Sequence, residues 1–205
     1  YKSMVNKTAD VYIIAVADDA IDEVVEELRL PGKVVAHTAA SVSKEILRTV
    51  STHYGVFYPL QSLRKEMNIL PDIPVFFDGN DEISRTKLEI LAHSISNEKV
   101  TQISDNNDLL KLHIAAVMVS NFTNHLYVLA ENYCSKEGLD FKQLLPLIRE
   151  TALRIENTSP KLAQTGPAVR HDKETIEKHI ELLKNYPQLK SLYVLLTESI
   201  QQVKN

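Results

Sequence analysis

Glycine is scarce in this chain of 205 residues. The five glycines are Gly32, Gly55, Gly79, Gly138 and Gly166, and no two lie close enough to form a GxGxxG turn or a P-loop. Cysteine occurs once, at Cys134, which excludes an internal disulfide framework and a Cys-based zinc site and fits a reducing cytoplasm. At the end of an apolar helix, that thiol reads as a packed side chain, not a nucleophile. Basic runs are missing as well. With a net charge of −4 and scattered Lys and Arg, the composition excludes nucleic acid as a partner. No apolar stretch approaches ~20 uninterrupted residues, so no membrane span is expected. There is no HxxH or HExxH zinc pattern and no GxSxG elbow; His113 and His125 stand too far apart on one helix to share a metal.

What is present is a core: 44% of the residues are apolar. Residues 1–10 are polar and weakly patterned. Val11 to Val16 then reads as a short apolar strand of the kind buried on both faces of a parallel sheet. Asp18-Asp19 is an N-cap signal for a helix over Ala20 to Leu30, which Pro31-Gly32 ends. Lys33 to His37 is a second strand, and Lys44 to Thr52 a helix capped by Ser41 or Ser43. Tyr54 to Tyr58 and Pro74 to Phe77 are further strands; Asp81 to Ser96 is an amphipathic helix closed by Asn97, and Lys99 to Ile103 a last strand. Strands alternating with helices imply βαβ units and a mostly parallel sheet. Strand signals stop there, and Phe141 to Thr158, Lys173 to Asn185 and Pro187 to Val203 are all helical in pattern. The expected organisation is an α/β domain over 1–103 and an all-helical domain over 104–205.

Between them, Asn106 to Lys136 forms one long helical stretch whose middle is apolar nearly all round, predicting burial on several sides. At ~100° per residue His113, Ser120 and Asn124 fall within an arc of roughly 40°, with Asn121 about 60° further round. A polar stripe on a buried helix needs partners, because an unpaired buried polar group costs on the order of 1–3 kcal/mol. The stripe should line a ligand cleft, a wet seam or a polar interface.

In open α/β sheets ligands bind beyond the carboxyl ends of the strands. Those ends carry Asp18-Asp19, His37-Thr38-Ala39-Ala40-Ser41 and Tyr58-Pro59-Leu60-Gln61. The small residues at 38–41 are placed to offer backbone N–H groups to an anion. Downstream, Gly166-Pro167 breaks a helix, Asp172 caps the next, and Arg170 and His171 are placed to meet an anionic substrate group.

Four stretches, Val11 to Asp19, Val34 to Ser41, Tyr58 to Gln61 and His113 to His125 with Thr165 to Asp172 downstream, together resemble an uncharacterised bacterial family of candidate NADP oxidoreductases. Its members join a Rossmann-like domain to a helical domain like the C-terminal domain of 6-phosphogluconate dehydrogenase. The resemblance covers essentially the whole chain. It implies that the Gly-rich fingerprint precedes Tyr1, so that the α/β domain is incomplete at its N-terminus. The wider superfamily, which includes pyrroline-5-carboxylate reductase, prephenate dehydrogenase and ketopantoate reductase, places a Lys or His and an Asn on the first long helix of the helical domain. By position these are His113 and Asn121 as catalytic residues, since Lys111 lies about 160° round the helix from His113. Many members carry a histidine where Tyr58 stands. The resemblance further implies Ser120, Asn124, Tyr58, Gln61 and Arg170 as substrate-binding residues, and Asp18, His37 and Thr38 as cofactor-binding. The cofactor is NADP or NAD, the substrate a small oxo/hydroxy or imino/amino molecule held in an interdomain cleft, and the assembly a cytoplasmic homodimer. A rival reading is a non-catalytic nucleotide-sensing or scaffold protein that dimerises through its helical half.

Overall fold

Short, mostly apolar runs of three to seven residues without helical spacing build the sheet, and the strand pairing shows how. The computed structural model describes residues 5–63, 66, 72–96 and 99–203. Strands β1 (Val11–Ile14), β2 (Val34–His37), β3 (His53–Pro59), β4 (Val75–Gly79) and β5 (Val100–Gln102) form a sheet in sequence order. All pairings are parallel except β3 with β4, which run antiparallel. The sheet is thus mostly parallel, with the chain reversing once between Pro59 and Val75.

Register assigns the faces. Ile14, His37, Val56 and Asp78 are aligned across four strands and so share one face. On that face helix α1 (Ile21–Glu27) and a 3-10 turn (Lys44–Thr49) cover Ile14, Val35 and Leu47. On the other, α2 (Glu82–Ile95) packs Leu88 and Ala92 on Val34, Ala36, Phe57, Val75 and Phe77. A third cluster, Ala40, Val56, Ile103 and Leu109 with Tyr58 and Phe76, seats the start of α3 (Asn106–Val117) on the sheet.

Helix α2 begins where predicted. The Asp81 carboxylate accepts from Ser84 N–H at 2.8 Å, the Ser84 hydroxyl accepts from Asp81 N–H, and His53 Nδ1 lies 2.5 Å from Asp81 Oδ2. Burial acts to raise the Asp81 pKa, but the hydrogen bonds from Ser84 and His53 outweigh it and hold it below the usual value. A carboxyl lowered in the folded state stabilises above its unfolded pKa, and that contribution is lost as pH falls through the folded value. Asp81→Ala should therefore cost about 1 kcal/mol in urea unfolding at neutral pH, with the difference shrinking in acid.

The helical half departs from expectation in instructive ways. The long stretch is α3, a π-helical turn over Met118–Phe122, and α4 (Thr123–Lys136). Its apolar residues are not buried: Met118 is 59% exposed, Val119 76% and Phe122 61%, with Leu109 and Cys134 buried near its ends. Periodicity reports that a residue wants cover, not that its own chain supplies it. The chain divides into compact units at 1–122 and 123–205, so the first half of this stretch belongs with the sheet. The second unit continues through α5 (Leu145–Arg154), a short α6 (Pro160–Ala163) with no counterpart in the sequence reading, α7 (Lys173–Leu182) and α8 (Pro187–Gln202). Asp172 caps α7 by accepting from Thr175 N–H at 3.1 Å, and His171 beside it adopts φ 53°. His179 Nδ1 and the Tyr193 hydroxyl, 2.8 Å apart, join α7 to α8.

Other corrections are local. Asp18 and Asp19 cap no helix: they open a 3-10 turn over Asp18–Ala20, and neither the N-cap of that turn nor that of α1 makes a side-chain bond. The stretch after Ser43 is a 3-10 turn, not an α-helix, and Ser43 caps it by accepting from Glu45 N–H. The closing Asn97 lies outside the described residues. Among the described residues no helix is long and apolar enough to cross a membrane.

Candidate functional site

Strand β3 runs beyond the end of β2, paired there with β4 alone, and delivers Tyr58 to the face on which α3 sits. There the Tyr58 hydroxyl lies 2.9 Å from His113 Nδ1, and the two rings meet edge to face at 6.2 Å and 81°. Both residues line a cavity of about 500 Å³. Leu60, Leu112, Ala115, Ala116, Val117 and Val119 form its apolar wall, while Gln61, Ser62, Ser120 and Asn121 supply neutral polar groups.

The π turn governs this geometry. An α-helical projection puts Asn121 well round from the His113–Ser120 line, but a π turn accommodates an extra residue per turn and changes the phase. Ser120 and Asn121 consequently line the same cavity as His113. Of the sequence-derived site residues, Tyr58, Gln61, His113, Ser120 and Asn121 are thus brought together. Asn124, on α4, and Arg170 belong to the second compact unit and are exposed there.

The other strand ends hold Asp18, His37 and Thr38. Ser41 Oγ donates to the Asp18 carboxylate, tying the end of β1 to the turn after β2. The Asp18 charge acts on both His37 and Tyr58, so the three strand ends share one electrostatic neighbourhood. Burial pushes the Tyr58 pKa up, and Asp18 pushes it the same way, so the hydroxyl keeps its proton. His37 is fully buried. Burial lowers its pKa, against the Ser43 backbone and Asp18, which favour the proton. Its Nδ1 accepts from Ala39 N–H at 3.3 Å, which leaves the proton of the neutral ring on Nε2. That Nε2 is buried with no hydrogen-bond partner. In the turn after β2, Thr38 N–H donates to the Ile14 carbonyl and Ala39 N–H to His37, so these two N–H groups are already engaged.

Sequence reasoning found the polar residues of the cavity except Ser62, and it did not find the pairing of Tyr58 with His113 or the part that Leu60 and the alanines play in its wall. A signal existed for part of the wall: Ala116, Val117 and Ser120 follow His113 at one-turn and two-turn spacings.

The chain thus joins a Rossmann-like, mostly parallel sheet to a helical half, with a polar-edged cavity beyond the end of β3. The chain belongs to a family known as Domain of unknown function (DUF2520), whose profile matches residues 73–200. It is similar to the structure of a Bacteroides fragilis protein described as a candidate NADP oxidoreductase, at 36% identity and TM-score 0.86, covering 98% of this chain and 78% of that one. A Thermotoga maritima protein matches at 25% identity and TM-score 0.81, covering 97% of this chain and 81% of the other. Pyrroline-5-carboxylate reductase of Streptococcus pyogenes shares the fold at 14% identity and TM-score 0.55, covering 95% of this chain and 77% of the reductase. Comparison with proteins of curated function gives no match.

Proposed function

We propose that the protein is an NAD(P)-dependent oxidoreductase that transfers a hydride between a nicotinamide cofactor and a small oxo/hydroxy or imino/amino substrate. The observation that carries this reading is the Tyr58–His113 pair at the edge of a substrate-sized cavity beyond the strand ends. The Bacteroides fragilis relative, described as a candidate NADP oxidoreductase, supports it. In this reading His37 and Thr38, at the end of β2, and Asp18, whose charge acts on His37, would face the nicotinamide end of the cofactor. When bound, the nicotinamide supplies the hydride chemistry; the protein supplies orientation and protons.

In this reading His113 is the general acid/base. Its Nδ1 is engaged by Tyr58, which leaves Nε2 to exchange a proton with the substrate oxygen or nitrogen. Tyr58 is then a positioning residue, because its hydroxyl is committed to the imidazole instead of the substrate. Asn121 and Ser120, with Gln61, orient the substrate from the same wall. Titration calorimetry of the full-length protein with NADPH and NADH is expected to show saturable binding of at least one; the absence of heat with both ends this reading.

A second reading rests on the exposed apolar residues Ile114, Met118 and Phe122. Exposed surface of this kind marks an association site, and a second copy of the chain is the proposed cover. A homodimer is expected in sedimentation velocity, and Met118→Lys with Phe122→Lys should yield monomer. Should those changes abolish assembly while His113→Ala with Asn121→Ala leaves every measurable activity intact, the scaffold reading replaces the enzymatic one.

A further inference from the structure

The His113 cavity carries chemical information that the family description does not. We infer that the group seated beside His113 is an uncharged carbonyl or an imine on an apolar carbon frame, and not the carboxylate end of an oxo acid. The inference rests on the oxidoreductase reading for the reaction, but not for the ligand's charge.

The lining decides the class. Among the described residues, Leu60, Leu112, Ala116 and Val119 offer apolar surface, and Gln61 and Asn121 neutral amides; none is Lys or Arg. Anionic groups are ordinarily met by a guanidinium or ammonium, often through paired hydrogen bonds. A carboxylate taken from water into an apolar wall without such a partner is strongly disfavoured. The local field points the same way. Among the described residues the Asp18 carboxylate acts on Tyr58, and its charge repels an anion and favours a protonated imine.

The free polar groups also suit a neutral ligand. Gln61 uses its carbonyl to accept from Ser62 N–H at 2.9 Å, leaving its amide N–H groups as donors towards a carbonyl or hydroxyl. For a ketone, the carbonyl carbon accepts a hydride from the reduced nicotinamide, the π pair moves to oxygen, and oxygen takes a proton from His113. For a protonated imine the nitrogen already carries its proton, and the hydride alone completes the amine.

The test compares 1-pyrroline with 1-pyrroline-2-carboxylate, one ring with and without the charge. Binding to the full-length protein is followed by NMR of ring-labelled histidine, the His113 signal being identified by its loss in His113→Gln. The expected result is that 1-pyrroline shifts the His113 signal and saturates at a concentration at least about tenfold lower than the carboxylate. Val119→Arg, which adds a guanidinium to the exposed edge of the same wall, should shrink or reverse that ratio. Equal or tighter binding of the carboxylate overturns the inference, and so does a His113 signal that neither compound moves. Binding of 1-pyrroline without any heat from NADPH or NADH leaves this assignment standing and removes the oxidoreductase reading; the opposite pattern does the reverse.

Discussion

Replacing His113 with glutamine should lower kcat by roughly 10²- to 10⁴-fold, the usual loss when a positioned general acid is removed. Glutamine keeps much of the imidazole's bulk on a half-exposed helical position, so thermal unfolding should hardly move. Tyr58→Phe separates positioning from proton transfer. It removes the hydroxyl that engages Nδ1 at 2.9 Å but leaves the acid in place. The loss should be smaller, on the order of tenfold, equivalent to ~1.4 kcal/mol, and the bell or shoulder in the pH–rate profile should survive in Tyr58→Phe while flattening in His113→Gln. Equal losses in both variants would mean that the hydroxyl itself reaches the substrate. An unchanged kcat in His113→Gln would remove the imidazole from the chemistry altogether.

The second large effect concerns the sheet. Gly55 and Gly79 face one another across β3 and β4, on the side that α2 covers. A Cβ at Gly55 would lie 2.2 Å from the Asp78 carbonyl oxygen and 2.7 Å from Leu88 Cδ1. At Gly79 it would lie 2.3 Å from Ser84 Oγ and 2.7 Å from the Arg85 nitrogen. Both sites meet backbone atoms, which cannot swing aside as a side chain can. Gly55→Ala and Gly79→Ala should each destabilise by ~3 kcal/mol, the upper end of the overpacking range. The measurement is the urea midpoint, which should fall with little change in m. An unaltered midpoint for either variant would show that α2 stands further from the sheet than described. The two losses should not add, because both methyls press on α2, at Leu88 and at Ser84-Arg85, and a shift of the helix away from the sheet relieves both.

These glycines illustrate what the sequence could and could not tell. Their scarcity excluded a phosphate loop, a statement about spacing alone. Their use, to let a helix approach an antiparallel strand pair, depends on the reversal between β3 and β4, and nothing in the apolar run of β4 encodes direction. Strand positions were legible because short apolar runs between turn residues have few alternatives. Asp81 and Asp172 were legible as caps because capping is local. Asp18 was not: its carboxylate found Ser41, and that bond spans a strand and a turn. His113, Ser120 and Asn121 were legible as a polar group on an apolar helix. Their common cavity was reached by a π turn that a fixed angle per residue does not anticipate. The pairing of His113 with Tyr58, far apart in the chain, had no local signal. The burial expected for the long helix is not supplied within this chain, because an apolar pattern does not say which chain provides the cover.

The π turn over Met118–Phe122 has a bearing on how this chain tolerates changes in length. A π turn holds one surplus residue in an otherwise α-helical ladder. Deleting a single residue there, Val119 for example, should let the ladder close as uninterrupted α-helix without rotating the residues that follow. The same deletion within Asn106–Val117 would turn every later side chain by ~100°. Natural single-residue indels among relatives should therefore fall within this pentapeptide and not along the flanking helices. Where such a deletion occurs, the Ser120 and Asn121 pair should lose its shared aspect, and the ligand preference of the cavity should change while the fold persists.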